Sequence, residues 1–433
     1  MTTTLVISGV TLIDGTGAPP AEHATIRIDG DRIAAVGQGA VVPDGVQTID
    51  GRGLWATPGL IDTHVHLELV GRIALPAWLA LGVTTIRDLG GALDFLVETR
   101  RLLEGGMAGP RLLFTGPMID GDPPTWPSLN RATESAEGAA RAVEEHLAAG
   151  ADAIKLYTTL EPEALRRCIA QVDGRVPVTG HLGRTTSCEA MEAGINGLEH
   201  ALLTPYNDLA PEDLRTPPGE TMMSPGFWLK VNDGWLEADL DSDRARRWLD
   251  LLVEKDVSFC PTLTVVPLAG DAPEEQELAT VSGARDRWLE ATQQRQAIEV
   301  PPELRERARR TRAKLQELVG RAHEAGARVV SGTDTGAVRS LVPGYALHRE
   351  LGFLSEAGLS SMDVLRAATA RAAEALRRDD LGVIAPGKRA DVLLLRRNPL
   401  GDVSALREID RVVHDGQVYH PAALLASAAA QAS

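Results

Sequence analysis

The chain has 433 residues, 44% hydrophobic and 24% charged, with 42 glycines and 26 prolines, a composition that excludes collagen-like, coiled-coil and disordered classes. Its 44 basic against 60 acidic residues leave a net charge of −16; with no basic stripe interleaved with aromatics, nucleic acid is excluded as a partner. The three cysteines, Cys168, Cys188 and Cys260, show no metal or redox spacing, which points to a disulfide-free protein of a reducing compartment, expected to be cytoplasmic. The opening MTTTLVISGV lacks the regions of a secretory signal, and no apolar run approaches a membrane span, so no membrane partner is expected.

Residues 1–57 alternate in short period-two runs, LVISGVTLID, ATIRIDGDRIAAVG and VQTIDGRGLWATPG, which predict antiparallel strands. ADVLLLRRNP and EIDRVVHDGQVYH repeat that texture near the other end. Together, 1–57 and 383–433 are expected to form one small β-sandwich. Between them, 58–382 alternates strand and helix patterns, which implies parallel strands with crossover helices. Eight strands are expected, at 59–67, 83–89, 111–116, 153–157, 176–182, 197–203, 258–265 and 328–334, making an α/β chain with a (β/α)8 barrel. An open doubly wound sheet is disfavoured because GTGAPP at 15–20 has neither the spacing nor the following helix of a phosphate turn. The Pro-, Met- and Trp-rich stretch 204–245 and the polar stretch 267–310 are long insertions after strand ends. The small-residue tail ALLASAAAQAS is expected to fray.

The chemistry concentrates at strand ends. In PGLIDTHVHL, His64 and His66 share one face of the first barrel strand, and two converging imidazoles are half of a zinc site. Of ten histidines, His181 and His200 end strands five and six, and Asp334 ends strand eight. Such a set on one rim is costly to bury unless paired or ligated. In ADAIKLY, Lys155 lies between Ile154 and Leu156 in a buried strand, where an ammonium is expensive. A neutral lysine there can add CO2 to give a carbamate; the alternative is a snorkelling side chain or a carboxylate's partner. His146 and His323 lie on helices, and His23, His414 and His420 in the small domain. Substrate contacts are expected, more weakly, from Tyr157, Arg184, Arg339, Trp126 and His348, and Met222–Trp235 is a candidate pocket lining; each has an equally ordinary structural role.

Taken in order, PGLIDTHVHL, AIKLY, TGHLG, GLEHAL, GTDTG and LGVIAPGKRADVLLLRRNPL resemble the amidohydrolase superfamily, in its imidazolonepropionase-related and dipeptidase-like branch. The resemblance spans nearly the whole chain and implies a (β/α)8 barrel with a composite β-sandwich. It also implies two divalent metal ions: one on His64, His66 and Asp334, one on His181 and His200, and a carbamate made on Lys155 from CO2 bridging both. Zn²⁺ suits such ligands, with Mn²⁺, Co²⁺ and Fe²⁺ not excluded. The implied activity is hydrolysis of an amide-type C–N bond by a metal-bridging hydroxide, Asp334 serving as base and then acid. The expected partner is a small-molecule substrate, an N-acyl amino acid, dipeptide or related amide, and the chain is expected to be a homo-oligomer. Two alternatives stay open: a mononuclear deaminase or hydrolase of cyclic amides, amidines or lactones with Lys155 unmodified, and a non-hydrolytic enzyme of specialised metabolism.

Overall fold

The computed structural model describes residues 4–38, 45–216, 225–266, 302–337 and 341–431. Buried runs without alternation build the centre. In β6 (Leu60–Val65) and β7 (Val83–Asp88) every residue is buried, as expected of parallel strands covered on both faces. These two and β8 (Arg111–Phe114) form one parallel run. A second parallel run holds β9 (Met118–Asp120), β10 (Asn130–Ala132), β11 (Ile154–Leu156), β12 (Val178–Gly180), β13 (Gly197–Glu199), β14 (Ser258–Cys260) and β15 (Arg328–Val329), in the order β10-β9-β11-β12-β13-β14-β15. The runs meet on both sides. Asp152 N donates to Phe114 O at 2.8 Å, and Thr63 N donates to Ser331 O at 3.1 Å, with a further bridge between Val65 and Thr335.

This is the expected (β/α)8 barrel, its strands β6, β7, β8, β11, β12, β13, β14 and β15. The last five have paired cores of only two or three residues, because the chain turns away at the mouth into the loops that carry the polar residues. Gly332 sits where strand eight passes strand one: a Cβ there would meet Cys260 Sγ at 2.5 Å and His64 Cβ at 2.8 Å. Only glycine fits such an approach.

The termini build a second sheet. Its order is β18 (Gln417–Tyr419), β17 (Ile409–His414), β16 (Val392–Leu395), β5 (Trp55–Pro58), β1 (Thr4–Leu12), β2 (Ala21–Asp29) and β3 (Arg32–Gln38), with β4 (Gln47–Asp50) beside β1. Most pairings are antiparallel, but β1 runs parallel to both β4 and β5. The sheet curls back on itself: Ile33 N donates to Lys388 O at 2.9 Å, and Gly387 N to Ile33 O at 2.8 Å. In β16, Val392 and Leu394 face the sheet's own core, while Leu393 and Leu395 join the barrel core. One four-residue strand thus glues two bodies, which is why VLLL has no polar alternation.

Two expectations about flanking segments need correction. The small-residue tail is a helix, Pro421–Gln431, as its alanine content favours. Trp235 is a core residue: it is fully buried in the helix Pro225–Glu237, its indole N–H donating to Leu202 O at 2.7 Å. Met222 and residues 267–301 lie outside the described residues, whereas Pro302–Glu324 form a charged helix. None of the three cysteines is in a disulfide, and no described helix is long and apolar enough to cross a membrane.

Candidate metal centre

The barrel closure places the residues of five strand ends together. His64 lies in β6 and His66 directly after it, Lys155 in the middle of β11, His181 just past β12, His200 just past β13, and Asp334 in the turn after β15. All six are buried, the most exposed being His200 at 7%. Ring centroids run in a chain: His66 to His64 5.5 Å, His64 to His200 4.6 Å, His200 to His181 4.4 Å, and His181 to Tyr157 4.8 Å. Asp334 Oδ1 lies 3.3 Å from His64 Nε2 and 3.1 Å from His66 Nε2. Ligand-type atoms of His64, His200 and Asp334 all fall within 4.8 Å of one another.

Six buried atoms of this cluster make no aligned hydrogen bond among the described residues: His64 Nε2, His66 Nδ1, both ring nitrogens of His181, Lys155 Nζ and Asp334 Oδ1. Among the described residues, Asp334 Oδ1 has only the two imidazole contacts at 3.3 and 3.1 Å. A buried polar atom without a partner costs about 1–3 kcal/mol, so six together rival the whole stability of a domain, about 5–15 kcal/mol. Imidazole nitrogens and a carboxylate are the donors that divalent transition cations take. The donor set therefore fits divalent cations.

Electrostatics agree. Burial, followed by the Lys155 charge, takes the His181 imidazole down to about 3, and burial followed by His181 takes His200 well below its ordinary value. Both rings are neutral with lone pairs to offer. Burial would raise the Asp334 carboxyl, but the imidazoles of His64, His66 and His200 hold it well below the usual range. Burial also lowers the Lys155 ammonium to about 8, with Arg87 assisting and Glu199 and Asp334 opposing.

Around the cluster stand residues that sequence reasoning did not single out. Glu199 Oε2 holds His64 Nδ1 at 2.8 Å, while Glu199 Oε1 accepts from Arg87 Nη2 at 2.8 Å and Thr179 Oγ1 at 2.6 Å. Fixing Nδ1 leaves Nε2 as the free lone pair of His64. Asp62 accepts from Thr333 Oγ1 at 2.8 Å and Thr333 N at 3.1 Å, tying β6 to the turn of Asp334. A signal existed: Arg87 and Glu199 are charges inside stretches expected to be buried barrel strands, as Lys155 is. Glu199 and Cys260 also form a ligand-type group with His64. There, however, His64 Nδ1 is already bonded to Glu199, and Arg87 supplies the positive charge.

The weaker substrate expectations divide. Tyr157 joins the cluster; its hydroxyl accepts from Trp126 Nε1 at 3.1 Å. Arg184 sits on the rim, paired with Glu161 at 2.8 Å, and lines a cavity of about 420 Å³ with Asp122, Glu134 and Glu163. His348 is not brought to the cluster: it is buried, bonded to Leu81 O at 2.9 Å, and fastens the helix Tyr345–Glu356 to the chain entering β7. His146 is likewise a buried packing residue. Arg339 lies outside the described residues.

Fold and site thus define an α/β barrel with a donor set at its mouth that fits divalent cations. The chain belongs to the amidohydrolase family, whose model matches residues 55–419. It is 41% identical over 113 residues to N-acyl-D-aspartate deacylase of Alcaligenes xylosoxydans xylosoxydans (25% of this chain, 22% of that protein). It is 50% identical over 54 residues to imidazolonepropionase of Rubrobacter xylanophilus (11% of this chain, 13% of that protein). The matched stretches span under a quarter of either relative's length. Along the full fold it is similar to a putative prolidase from Bifidobacterium longum, with a TM-score of 0.69, 26% identity and coverage of 99% of both chains.

Proposed function

We propose that the protein is a metal-dependent hydrolase cleaving an amide-type C–N bond in a small molecule, an N-acyl amino acid, dipeptide or related amide. The observation that carries this reading is the set of six buried, unpartnered donor atoms converging on one barrel mouth. In this reading His64, His66 and Asp334 hold one divalent cation and His181 and His200 a second, Zn²⁺ being suited to imidazole and carboxylate. Cations held there supply Lewis acidity toward a carbonyl and acidify water. Lys155 serves both groups as a carbamate: its neutral amine adds to CO2, forming one N–C bond and releasing one proton. With the ammonium lowered to about 8, about one amine in ten is neutral at pH 7, against about one in three thousand at the ordinary value.

Asp334 Oδ1 accepts a proton from the attacking water and hands it to the leaving nitrogen. Tyr157 accepts from Trp126, so its own proton is available to a substrate oxygen. Arg184 grips a substrate carboxylate in exchange for Glu161, its present partner. The deacylase relative is named for an N-acyl amino acid, which supports an acylated amine beside a carboxylate as the substrate class.

The test is a panel of N-acyl amino acids, dipeptides, lactones and cyclic amides, run on zinc-loaded protein and on Arg184→Ala. Turnover of carboxylate-bearing amides, weakened in the variant chiefly through KM, is the expected result. Inert amides beside hydrolysed lactones or cyclic amidines would overturn the substrate class.

A further inference from the structure

Three non-glycine residues at the barrel mouth have left-handed backbone: His200 (φ 66°), Thr262 (φ 46°) and Asp334 (φ 61°). They follow β13, β14 and β15, three neighbouring strands. Histidine and aspartate enter this region with some ease, but a β-branched threonine there is a genuine outlier and carries backbone strain. Strand β14 stands between the strands that deliver His200 and Asp334, yet it adds no unpartnered donor to the cluster. What its end supplies is Thr262 Oγ1, buried and 2.8 Å from His200 Nδ1.

The turn that carries Thr262 is pinned on every side. Cys260 O accepts from His200 N and Pro261 O from Ala201 N, both at 2.9 Å. Thr264 Oγ1 donates to Thr333 O at 3.1 Å, next to Asp334. From behind, the buried carboxylate of Glu350 accepts from Leu263 N and Thr264 N, both at 2.9 Å. Eight tenths of an ångström of slack anywhere in this frame breaks the bond to His200, since a side-chain contact near 3.6 Å is no longer a hydrogen bond.

We propose that Thr262 is a positioning residue: its hydroxyl oxygen accepts the Nδ1–H of His200 and selects the tautomer whose Nε2 lone pair is free for a cation. The inference rests on the metal-centre reading above. It makes the strained turn part of the site, held in place by Glu350, where Glu199 does the same for His64 from the opposite side.

The experiment uses full-length protein stripped of metal, titrated with Zn²⁺ alone against a chromophoric chelator, in wild type and in Thr262→Ser, Thr262→Val and Thr262→Gly. Serine keeps the hydroxyl and binds within about threefold of wild type; valine and glycine lose about 10–100-fold in affinity, the usual effect of removing a ligand's orienting partner. Glycine also relieves the backbone strain, so Thr262→Gly melts at or above wild type while binding zinc more weakly. A threonine serving only the fold moves both quantities together. In the zinc-free protein, histidine ¹⁵N spectra place the His200 proton on Nδ1 in wild type and Thr262→Ser, and shift it toward Nε2 in the other two. Zinc affinity equal to wild type in Thr262→Val and Thr262→Gly, or an unchanged tautomer in both, overturns the proposal. Wild type that binds no Zn²⁺ sinks the metal reading instead, and the tautomer still decides the role of Thr262.

Discussion

Two buried clusters in this molecule mix histidine with carboxylates, and they are built to opposite rules. At the junction between barrel and terminal sheet, Asp391 accepts from His414 Nδ1 at 2.8 Å, Asp415 N at 3.0 Å and Arg111 Nη1 at 2.7 Å. Asp415 in turn pairs with Arg111 and Arg389. Burial would raise the Asp391 carboxyl, but Arg111 and His414 hold it far below the usual range. Asp391, His414 and Asp415 have the spacing of a metal group, but arginines already occupy them. At the mouth, six donor atoms have no such partners. Spacing of residue types is therefore a poor sign of a metal centre; unsatisfied valence is the better one. A cluster that answers its own charges fastens the fold, and one that leaves them open is built for something that binds.

The largest expected effect falls on the open cluster. Asp334→Asn removes the proton acceptor, and turnover drops by about 10²–10⁴-fold, read as kcat on protein whose zinc content is measured in parallel. Near-normal turnover with zinc retained reduces Asp334 to a structural carboxylate like Asp391. Next comes the closed cluster: Asp391→Asn leaves the buried Arg111 with Asp415 as its remaining carboxylate and takes the acceptor from His414 Nδ1, costing up to about 3–5 kcal/mol in chemical denaturation, with zinc content and kcat per folded molecule unchanged. Loss of zinc in that variant would erase the distinction between the clusters. Glu199→Gln sits on the border between them. It weakens zinc binding about 10–100-fold and strands Arg87, so Arg87→Met combined with Glu199→Gln recovers stability but not affinity. Recovery of both would make the Glu199 network a fold fastener.

Why the mouth was legible in the sequence, and the junction and the outer residues were not, follows from chain separation. His64 and His66 share a strand face by periodicity alone, and each remaining cluster residue ends or interrupts an apolar run, so a barrel topology suffices to bring them together. Terminal texture likewise announced the shared sheet, though not that β16 buries both faces. Arg111 and Asp391 are 280 positions apart, with nothing local to pair them. His348 looked like a rim residue because it follows strand eight, but its ring turns to the Leu81 carbonyl, a direction fixed by helix packing. Thr262 left no trace at all, since its signal is a backbone angle. Arg87 and Glu199 were readable as charges in strands that the barrel buries.

Glu350 stands between the two kinds of cluster: a fully buried carboxylate held by the Leu263 and Thr264 amides and the Thr264 side chain, with the charges of Arg312 and Asp62 nearby. Burial pushes it up to about 7 from 4.5, with the Leu263 and Thr264 amides opposing. The folded protein therefore binds this proton more tightly than the unfolded chain does. Its contribution to stability is complete below pH 4.5, falls as pH rises through the window up to about 7, and is level above that. Glu350→Gln removes this slope. It also loses one amide acceptor, but that cost is the same at every pH and cancels when the gap between wild type and variant is compared across pH. Denaturation at pH 5 and pH 8 should show wild type losing about 2 kcal/mol relative to Glu350→Gln. Asp62 is also raised to about 7 by burial, with the Glu350 charge adding to the rise, and titrates in the same window, so the pair is compared in an Asp62→Asn background. A gap that stays constant from pH 5 to pH 8 would mean that Glu350 is ionised throughout, answered by Arg312 and the two amides as Asp391 is answered by Arg111, and the turn of Thr262 would then hang from a charge-paired anchor.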